Sequence, residues 1–405
     1  MKILFICASY SPRSASPAFR TTYISKALER LGQEVFVLTY DDDFQTRLDK
    51  YDHTLKGIEV KNVNRIHQSI SKGKSKNLAL KNLLYKYGVG SLFIPDPHIK
   101  NVSKFFEKAK EIVLTNKIDF VITFSFPHSF HIIGYRLNKA LNVNWIADYG
   151  DIWYGAPHTE FNKNSFFKKL DYYLEHKILK RATAVSLTTK ASIEFYKKNF
   201  SVKNYLLNEM GHVEEKQVFL NNEYSSDSLT FLHAGRLYHP MRDPIKMINF
   251  IENIADVNSK LILVGDIDDY LKNKIDFLNP NKTELISWMT TSELQVYFNH
   301  SDVLVLFGNL SELQVPGKLY EYLSLRKPII YLHMDLKSDP VLEIIKKFNY
   351  IFPVSNKNLD KELLSVIIKI QYIIEKNISS NYDDYFSWNK IASRLLSQLN
   401  KLDEK

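Results

Sequence analysis

The sequence predicts an α/β protein built from two doubly wound domains, each with a parallel sheet covered by helices on both faces. The chain has 405 residues, which suits two domains of about 200 residues each rather than a single core. Short, nearly continuous runs of Val, Ile, Leu and Phe recur along it, as is typical of parallel strands buried on both faces. Stretches of about 10 to 20 residues with helical periodicity separate these runs, so strands and helices alternate.

Two series of apolar runs define the predicted strands. The first series is KILFICAS, EVFVLTY, IEVKNV, DFVITFS, NWIADYG, AVSLTT and NYLLNE. The second series is LTFLHAG, KLILVGD, TELISW, DVLVLFG, PIIYL and YIFPV. The polar stretch 205–228 lies between them and places the domains at 1–210 and 211–385. The final segment, 386–405, has apolar residues on one helical face and is predicted to pack back on the first domain.

The composition is that of a soluble globular protein, with 45% hydrophobic and 24% charged residues. The single cysteine, Cys7, excludes a disulfide framework and favours a reducing compartment. The start of the sequence breaks its apolar run too early for a secretory signal, and no run of about 18 apolar residues follows. We therefore expect a cytoplasmic protein.

Basic residues are concentrated in the segment 61–117. It holds 12 Lys and Arg against three acidic residues, a surplus as large as the net charge of the whole chain, +9. Residues 77–87 interleave basic and apolar side chains, which is typical of a helix at the inner, anionic face of a cell membrane. A solvated helical face is the alternative. Nucleic acid is not an expected partner, because no nucleic-acid-binding motif accompanies the charge.

Ligands of doubly wound sheets bind beyond the carboxyl ends of the strands. This rule selects three stretches in each half of the sequence. They are Ser9–Arg20, Ser125–His131, Asp148–Trp153, Gly235–Arg242, Gly265–Asp266 and 308–321. With two such domains facing each other, we expect the site in a cleft between them.

Two arginines follow the first strand of the second domain, in LHAGRLYHPMRDP at 232–244. Arg236 and Arg242 suit the bidentate capture of phosphate oxygens. Gly235 precedes them and lets a ligand approach the backbone closely. Pairing with a surface carboxylate such as Asp243 is the alternative for either arginine.

The segment QVPGKLYEYLSLRKPI opens an apolar helix with Pro316, Gly317 and Lys318. Proline suits the first turn of a helix, whereas a lysine at this positive end is favourable only when an anion binds there. Glu321 follows one turn later, where a carboxylate can accept hydrogen bonds from both hydroxyls of a ribose. A simple salt bridge with Lys318 is the alternative, but it leaves the preceding Pro-Gly unexplained. With the arginines, this segment predicts a nucleoside-diphosphate site.

These motifs resemble the donor site of the GT-B glycosyltransferases, particularly family 4. QVPGKLYEYLSLRKPI is similar to the segment in which a glutamate, here Glu321, binds the nucleotide ribose, and HAGRLYHPMRDP resembles the Gly-Arg phosphate segment. SYSPRSASPAFRTTYISKALERLGQEVFVLT and VITFSFPHSFHIIGYRLNKALNVNWIADYGDIW resemble the opening loop and a later segment of the first domain. ILKRATAVSLTT and LLNEMGHVEE match the strand and turn before the second domain. The resemblance is ordered along most of the chain.

The resemblance implies two Rossmann-like domains facing a cleft. It implies transfer of a sugar from a UDP- or GDP-linked donor to a growing surface-polysaccharide or lipid-linked glycan. The expected donor-nucleotide site comprises Gly235, Arg236, Arg242, Gly265, Pro316, Gly317, Lys318 and Glu321. The expected catalytic residues are Arg236, Lys318 and His131, and the expected acceptor-side residues are Arg20, His128, Asp148 and Asp151.

The first-domain residues in this set have structural alternatives. His131 would touch the donor sugar or phosphate, with His128 as its nearby rival, or either histidine would make a hydrogen bond at a helix start. Asp148 and Asp151 would hold the acceptor or orient its loop, or they would cap the segment before Trp153.

The chain departs from the family in several places. Relatives carry two glutamates seven residues apart, and Leu313 stands at the first of these positions here. Either a one-residue shift to Glu312 supplies this carboxylate or it is absent. The phosphate lysine of relatives falls on Met241, with Arg242 adjacent and Lys318 as the alternative substitute. Gly150 replaces an arginine in DYGDIW, and SPRSASP replaces a glycine-rich acceptor loop. These departures affect the contacts to the donor sugar more than those to the nucleotide.

The predicted chemistry needs no metal and no other cofactor. Loss of a nucleoside diphosphate places negative charge on the pyrophosphate, and cations fixed at the phosphates stabilise it. No Asp-x-Asp pair follows a predicted strand, and the DDD at 41–43 lies in a polar loop. Retention of the anomeric configuration, which the resemblance implies, requires no dedicated base, because the leaving phosphate can take the acceptor proton.

Two other functions remain open. A GT-B epimerase would use the same nucleotide site, but it needs carboxylates and a histidine around C2 of the sugar, and the sequence shows no clustered acidic set there. A catalytically silent nucleotide- or glycan-binding subunit would explain the missing glutamate and the missing arginine. Binding without turnover would distinguish the silent subunit from a transferase.

Overall fold

The computed structural model describes residues 1–11, 16–40, 64–68, 94–156, 165–213, 229–253, 259–275, 278–376, 378 and 384–404. Its contacts divide the chain into two units. Unit 1 comprises the described residues up to Met210 together with those from Trp388 onward, and unit 2 comprises those from Gly211 to Ser387. The predicted strand at 58–63 and the predicted amphipathic segment 77–87 lie outside the described residues.

Unit 1 is built on a seven-stranded sheet in which neighbouring strands are parallel. The strands are β1 (Lys2–Ile6), β2 (Glu34–Tyr40), β3 (Asn64–Gln68), β4 (Phe120–Phe124), β5 (Asn144–Tyr149), β6 (Ala184–Leu187) and β7 (Tyr205–Leu207). Their order is β3-β2-β1-β4-β5-β6-β7. The strand order therefore reverses between β1 and β4, which is the position where doubly wound sheets bind ligands.

The burial of these strands follows their sequences. All five residues of β4, FVITF, are buried, as are four of the five residues of β1, KILFI. Both are central strands, which helices cover on two faces, so continuous apolar sequence is required there. The edge strand β3 has the polar sequence NRIHQ and directly follows the apolar run at 58–63.

Unit 2 is built on a six-stranded parallel sheet. The strands are β8 (Thr230–Ala234), β9 (Lys260–Val264), β10 (Thr283–Ile286), β11 (Val303–Phe307), β12 (Ile329–His333) and β13 (Ile351–Ser355). Their order is β10-β9-β8-β11-β12-β13, so the reversal falls between β8 and β11. Each of these six strands coincides with an apolar run of the second series.

The structure describes helices in both units. Those of unit 1 up to Met210 are α1 (Ser16–Arg30), α2 (Val102–Asn116), α3 (Phe130–Leu141), α4 (Ser165–Leu179) and α5 (Lys190–Asn199). Those of unit 2 are α6 (Ile245–Asn253), α7 (Asp269–Ile275), α8 (Thr291–His300), α9 (Gly317–Ser324), α10 (Pro340–Ile345) and α11 (Leu359–Glu375). The last helix is α12 (Trp388–Asp403). Across the described ranges, no helix has both the length and the apolar character that a bilayer crossing demands.

The helix α12 completes unit 1 by packing against α1. Its buried residues, spaced on one helical face, are Trp388, Ile391, Ala392, Leu395 and Leu399. The ring of Trp388 stacks on Tyr23 of α1, with ring centroids 6.0 Å apart. Arg394 forms an ion pair with Glu209 at 3.0 Å, which fixes the helix beside the end of β7. The C-terminal segment therefore belongs structurally to the first sheet.

Candidate functional site

The loops after β8 and β9 approach each other through two glycines. Gly265 has φ +145°, and a Cβ there would lie 2.2 Å from the carbonyl oxygen of Gly235. The Gly235 N–H donates to the carbonyl oxygen of Val264 at 2.8 Å, so the strand pairing continues into the loop. Glycine is therefore required at Gly265, both for its backbone conformation and for this close contact.

Arg236 and Arg242 lie beside one aromatic ring. Their guanidinium carbons are 5.8 and 5.5 Å from the ring centroid of Tyr238. Asp243, the predicted alternative partner, is bound elsewhere: it accepts a hydrogen bond from the Ile245 N–H at 2.9 Å and lies 2.7 Å from His239 Nδ1. Among the described residues, neither guanidinium forms an ion pair with a carboxylate.

The helix α9 begins at Gly317, with Pro316 as its N-cap rather than inside the first turn as predicted. Lys318 Nζ donates to Glu321 Oε2 at 2.6 Å, so the salt bridge considered as the alternative for Glu321 is present. The two side chains are 31% and 24% exposed, which leaves both accessible to a ligand. Glu312 is exposed and Leu313 half-buried in the loop before this helix.

One hydrogen bond fixes α9 to the end of β8. The Ala234 N–H donates to the hydroxyl of Tyr322 at 2.9 Å. Tyr322 is fully buried, and burial raises the pKa of its hydroxyl, which therefore stays protonated. The start of α9 and the Gly235 loop are thus held side by side, although the two segments are far apart in the sequence.

His233 marks the point where the two predicted phosphate-binding motifs meet. Its Nδ1 donates to the carbonyl oxygen of Val305 at 2.9 Å, so Nε2 is the unprotonated nitrogen of the neutral ring. Burial, together with the positive charges of Arg242 and Lys318, lowers the pKa of His233 to about 3. Both cations therefore lie close enough to act on one imidazole.

The Nε2 atom of His233 is directed toward Gly235. A Cβ built on Gly235 would lie 3.2 Å from it, and this buried nitrogen has no hydrogen-bond partner among the described residues. Sequence reasoning missed both His233 and Tyr322. The only signal for His233 was a polar residue inside the apolar run TFLHA.

Together these residues form an arrangement that can bind an anion, in the way predicted for a nucleoside diphosphate. Arg236, Arg242 and Lys318 supply positive charge, and the first-turn N–H groups of α9 add the positive end of its dipole. Glu321 supplies an acceptor for ribose hydroxyls, one helical turn away from the lysine. No group of three His, Cys, Asp or Glu side chains arranged as metal ligands occurs within the described ranges.

In unit 1 the predicted acceptor-side residues Arg20 and Asp148 bind each other. The Arg20 Nε donates to Asp148 Oδ1 at 2.9 Å and NH2 donates to Oδ2 at 2.9 Å. The other Arg20 contacts go to the carbonyl oxygens of Asn208 and Glu209, at 2.7 and 2.9 Å, and to Sδ of Met210, at 3.5 Å. Arg20 is 2% exposed and Asp148 is 1% exposed, so this ion pair is buried at the carboxyl edge of the sheet.

His131 is wholly buried at the start of α3. Its Nδ1 lies 2.8 Å from the hydroxyl of Thr123, which also accepts a hydrogen bond from the Trp145 indole at 2.8 Å. Burial lowers the pKa of His131 to about 3, against the opposing effect of Asp148, so the ring is neutral. His128 is also buried, and its ring stacks on Trp153 at 5.4 Å.

The remaining predicted residue, Asp151, is exposed. Its N–H donates to the Ser125 hydroxyl at 3.5 Å, which joins the loop after β5 to the loop after β4. Of the predicted first-domain residues, the structure therefore brings Arg20 and Asp148 into direct contact. It leaves Asp151 as the accessible carboxylate of the four acceptor-side predictions.

Helix α4 of unit 1 carries a buried carboxyl group. Glu175 is fully buried; it accepts hydrogen bonds from the Tyr196 hydroxyl at 2.7 Å and from the Tyr154 N–H at 3.0 Å. Burial raises the pKa of Glu175 to about 8, and these hydrogen bonds only partly oppose the effect. At neutral pH this side chain is therefore mainly the uncharged acid.

The buried ionisable groups predict a stability maximum near pH 6.5. His131 and His233 have pKa values lowered from 6.5 to about 3, so their contribution is complete above pH 6.5 and is lost as the pH falls. The pKa of Glu175 is raised from 4.5 to about 8, so its contribution is lost as the pH rises toward 8.

We expect the Glu175 contribution to the free energy of unfolding to fall by about 2 kcal/mol between pH 6.5 and 8, at roughly 1.4 kcal/mol per pKa unit. Urea titrations at half-unit pH intervals would measure this slope. Glu175→Gln should be flatter than the native protein over the same range. An equal slope in both proteins would contradict the raised pKa.

Comparison with known proteins supplies structures but no sequence family. No protein-family profile matches the chain, and no curated protein matches it. The structure of a sucrose-phosphate synthase from Thermosynechococcus elongatus is similar over 99% of this chain and 98% of its own, at 13% identity and a TM-score of 0.67.

Two further structures are similar over the whole chain. The lipopolysaccharide outer core galactosyltransferase WaaB matches 99% of this chain and 99% of its own, at 14% identity and a TM-score of 0.59. A putative UDP-N-acetylglucosamine 2-epimerase from Listeria monocytogenes matches 99% and 97%, at 13% identity and a TM-score of 0.57. At such identities the likeness establishes the fold alone.

Proposed function

The chain has the two-domain, Rossmann-like GT-B architecture, and on this premise we propose that it is a glycosyltransferase. It moves a sugar from a nucleoside-diphosphate sugar to a growing glycan. The observation that carries this proposal is the meeting of two motifs at the end of β8. There the Ala234 N–H donates to the Tyr322 hydroxyl of α9 at 2.9 Å, and the unpartnered Nε2 of His233 faces Gly235. A pair of arginines without carboxylate partners needs an anion to balance it, and a pyrophosphate supplies oxygens for both the arginines and the N–H groups at the start of α9.

Each residue of this site has a role in donor binding. Arg236 and Arg242 hold the phosphate oxygens, while Gly317 and Lys318 bind the same anion from the helix start. Glu321 accepts hydrogen bonds from the ribose hydroxyls, and its salt bridge at 2.6 Å fixes its orientation. Gly235 lets the phosphates approach the backbone closely, and Gly265 allows the tight backbone contact that holds the Gly235 loop in place.

The reaction follows from this charge distribution. The bond between the anomeric carbon and the phosphate oxygen breaks, and a bond from that carbon to an acceptor hydroxyl oxygen forms. The electron pair of the broken bond stays on the departing nucleoside diphosphate, where the cations stabilise the developing negative charge. The leaving phosphate accepts the proton of the acceptor hydroxyl, so we propose a retaining reaction that needs neither a metal nor a separate base.

We further propose a lipid-linked or surface-polysaccharide glycan as the acceptor. The similarity to a lipopolysaccharide galactosyltransferase supports this class, and the basic character of the chain suits work beside an anionic membrane. Asp151 is the exposed carboxylate of the predicted acceptor-side residues, and we propose that it contacts an acceptor hydroxyl. The proposed place of action is the cytoplasmic face of the membrane.

A nucleotide-sugar epimerase is the second candidate, because one of the similar structures is a putative epimerase. Both enzymes would bind the same nucleotide. The products separate them: a transferase with its acceptor releases nucleoside diphosphate, whereas an epimerase returns the intact donor with an inverted sugar centre. Incubation with a UDP-sugar followed by chromatography of the nucleotides would distinguish the two, and an absence of either product with tight binding would indicate a silent subunit.

The first test is nucleotide binding. We expect one of UDP, GDP, ADP or CMP to raise the melting temperature, because a ligand that binds only the folded state stabilises it. Glu321→Ala should weaken that affinity by about tenfold to a hundredfold, since hydrogen bonds to a charged group contribute roughly 1.5–3 kcal/mol.

Glu343→Ala is a matched control for this variant. It removes the same kind of bridge, between Lys346 and Glu343 at 2.7 Å, from the surface of helix α10. Its melting temperature with nucleotide should equal that of the native protein. If no nucleotide stabilises the native protein, the assignment of the donor site would be wrong.

A further inference from the structure

The helix α4 exposes an unusual outer face in unit 1. Phe166 is 69% exposed, Leu170 38% and Tyr173 63%, and their spacing places all three on one side of the helix. Large apolar side chains on the surface are ordinary when they are scattered, but three in a stripe, two of them aromatic, indicate a contact surface.

Basic side chains lie on the same side. Lys169 and Lys177 are exposed on α4, and Lys180 is exposed in the turn that follows. Their positions fall between the apolar ones, so the whole face covers an arc of roughly 100° of the helix. We call this set of six residues the outer face of α4: Phe166, Lys169, Leu170, Tyr173, Lys177 and Lys180.

The acidic residues of α4 lie on the opposite side. They are Asp171 and Glu175, and both are fully buried. The neighbouring helix α3 contains no acidic residue and exposes Arg136 and Lys139. The outer face of α4 is therefore positive and apolar at once, with no carboxylate from α3 or α4 to balance it.

The described part of the basic segment predicted at 61–117 differs in this respect. Its helix α2 exposes Glu107 and Glu111 among its lysines, and Lys108 is bound to Glu111 at 2.7 Å. Charges of both signs weaken the attraction of that helix to an anionic surface. The outer face of α4 has no such compensation.

We propose that the outer face of α4 docks on an anionic lipid surface, with its aromatic side chains at the level of the headgroups. Aromatic rings favour the membrane interface, and neighbouring lysines bind anionic lipid headgroups. Charge complementarity selects this occupant over a protein surface, because the face is uniformly basic. The assignment deepens the proposed function by naming a partner, and it rests on the surface of unit 1 rather than on the donor site.

Vesicle flotation tests this docking without any nucleotide or sugar. We expect the native protein to float with vesicles of phosphatidylcholine and phosphatidylglycerol, and to stay behind with phosphatidylcholine alone. Replacing Lys169, Lys177 and Lys180 by Gln should lower the partition coefficient by about a hundredfold, at roughly fivefold per lysine. Raising the salt concentration should release the native protein in the same way.

The aromatic contribution has its own variant and control. The double variant Phe166→Ser, Tyr173→Ser should bind the anionic vesicles at least tenfold more weakly. The reason is that it removes two aromatic rings that would be buried at the membrane interface. Ile368→Ser with Tyr372→Ser removes side chains of similar exposure, 59% and 56%, from α11 of unit 2 and should bind like the native protein. The triple variant Lys272→Gln, Lys274→Gln, Lys346→Gln removes three lysines from unit 2. It is the control for the triple lysine variant of α4 and should bind the vesicles like the native protein.

A Phe166→Trp variant reports contact directly. The emission maximum of the added tryptophan should shift to the blue with anionic vesicles, while that of Tyr372→Trp should not change.

If the native protein does not float, or if the α4 variants float like it, the docking assignment is wrong. It is also wrong if Phe166→Ser with Tyr173→Ser instead dissolves a dimer seen by light scattering, since a second copy would then cover the face. A negative flotation result leaves the nucleotide-binding test unaffected, so the two proposals fail separately.

Discussion

Replacement of Asp148 by alanine is expected to lower the free energy of unfolding of unit 1 by about 3–5 kcal/mol. Arg20 is 2% exposed and makes two of its hydrogen bonds to this carboxylate, at 2.9 Å each. The variant would leave a buried guanidinium without its counter-charge. It would also leave Ser186 and Asn208, which donate to Asp148 Oδ2 at 2.6 and 2.9 Å, without their acceptor.

Urea unfolding measures this loss of stability, and two further variants serve as comparisons. Arg20→Met combined with Asp148→Leu removes both charges and should recover part of the stability, because a well-packed apolar pair costs less than a lone buried charge. Lys197→Gln removes an exposed bridge to Glu194 at 2.8 Å and should change the stability by only a few tenths of a kcal/mol. If Asp148→Ala unfolds like the native protein but raises KM for the acceptor, the acceptor role predicted from the sequence would replace the structural one.

Arg242→Gln is expected to lower kcat/KM for glycosyl transfer by about a hundredfold to a thousandfold, the usual effect of removing one fixed donor to developing charge. The structure gives the reason. Its guanidinium lies against the Tyr238 ring and acts on His233, and no carboxylate of the described residues neutralises it. Stability should change little, since no ion pair is broken.

Steady-state kinetics with the donor identified by the thermal shift would measure this effect. Arg242→Lys keeps the charge but loses the bidentate geometry, so its rate should lie between those of the native protein and Arg242→Gln. Arg326→Gln, which changes an exposed arginine at the end of α9, is the control and should retain native kinetics. Native rates in Arg242→Gln would remove this arginine from the phosphate site.

The sheets were largely predictable from the sequence, because parallel strands covered on both faces need continuous apolar runs. The architecture is confirmed by the similar structures. The edge strand β3 was the exception: its sequence, NRIHQ, carries no apolar run, so no local pattern marked it as a strand. Strand pairing with β2 is visible only in three dimensions.

The site was predictable in part, for a physical reason. Gly235, Gly265 and Lys318 follow strands or open a helix, so local sequence rules find them. Tyr322 and His233 lie inside a helix and a strand, where an apolar environment is the default expectation. Their roles come from tertiary contacts, to Ala234 and Val305, that no local pattern encodes.

Tertiary contacts that no local pattern encodes also separate the acceptor-side predictions from the structure. Arg20 and Asp148 are polar residues near strand ends, which is the pattern of a binding site. They are 128 residues apart in the sequence, and their mutual ion pair cannot be read from either segment alone. Whether any of the first-domain residues contacts an acceptor stays a prediction.

The return of α12 to unit 1 has a consequence for biosynthesis. The ribosome delivers the sheet of unit 1 first, but the face of α1 that packs against α12 has no cover until α12 emerges. Unit 2 is encoded later, yet its whole sequence precedes that helix. Unit 2 can therefore finish folding before unit 1 is complete, in contrast to the usual N-to-C order of domain folding.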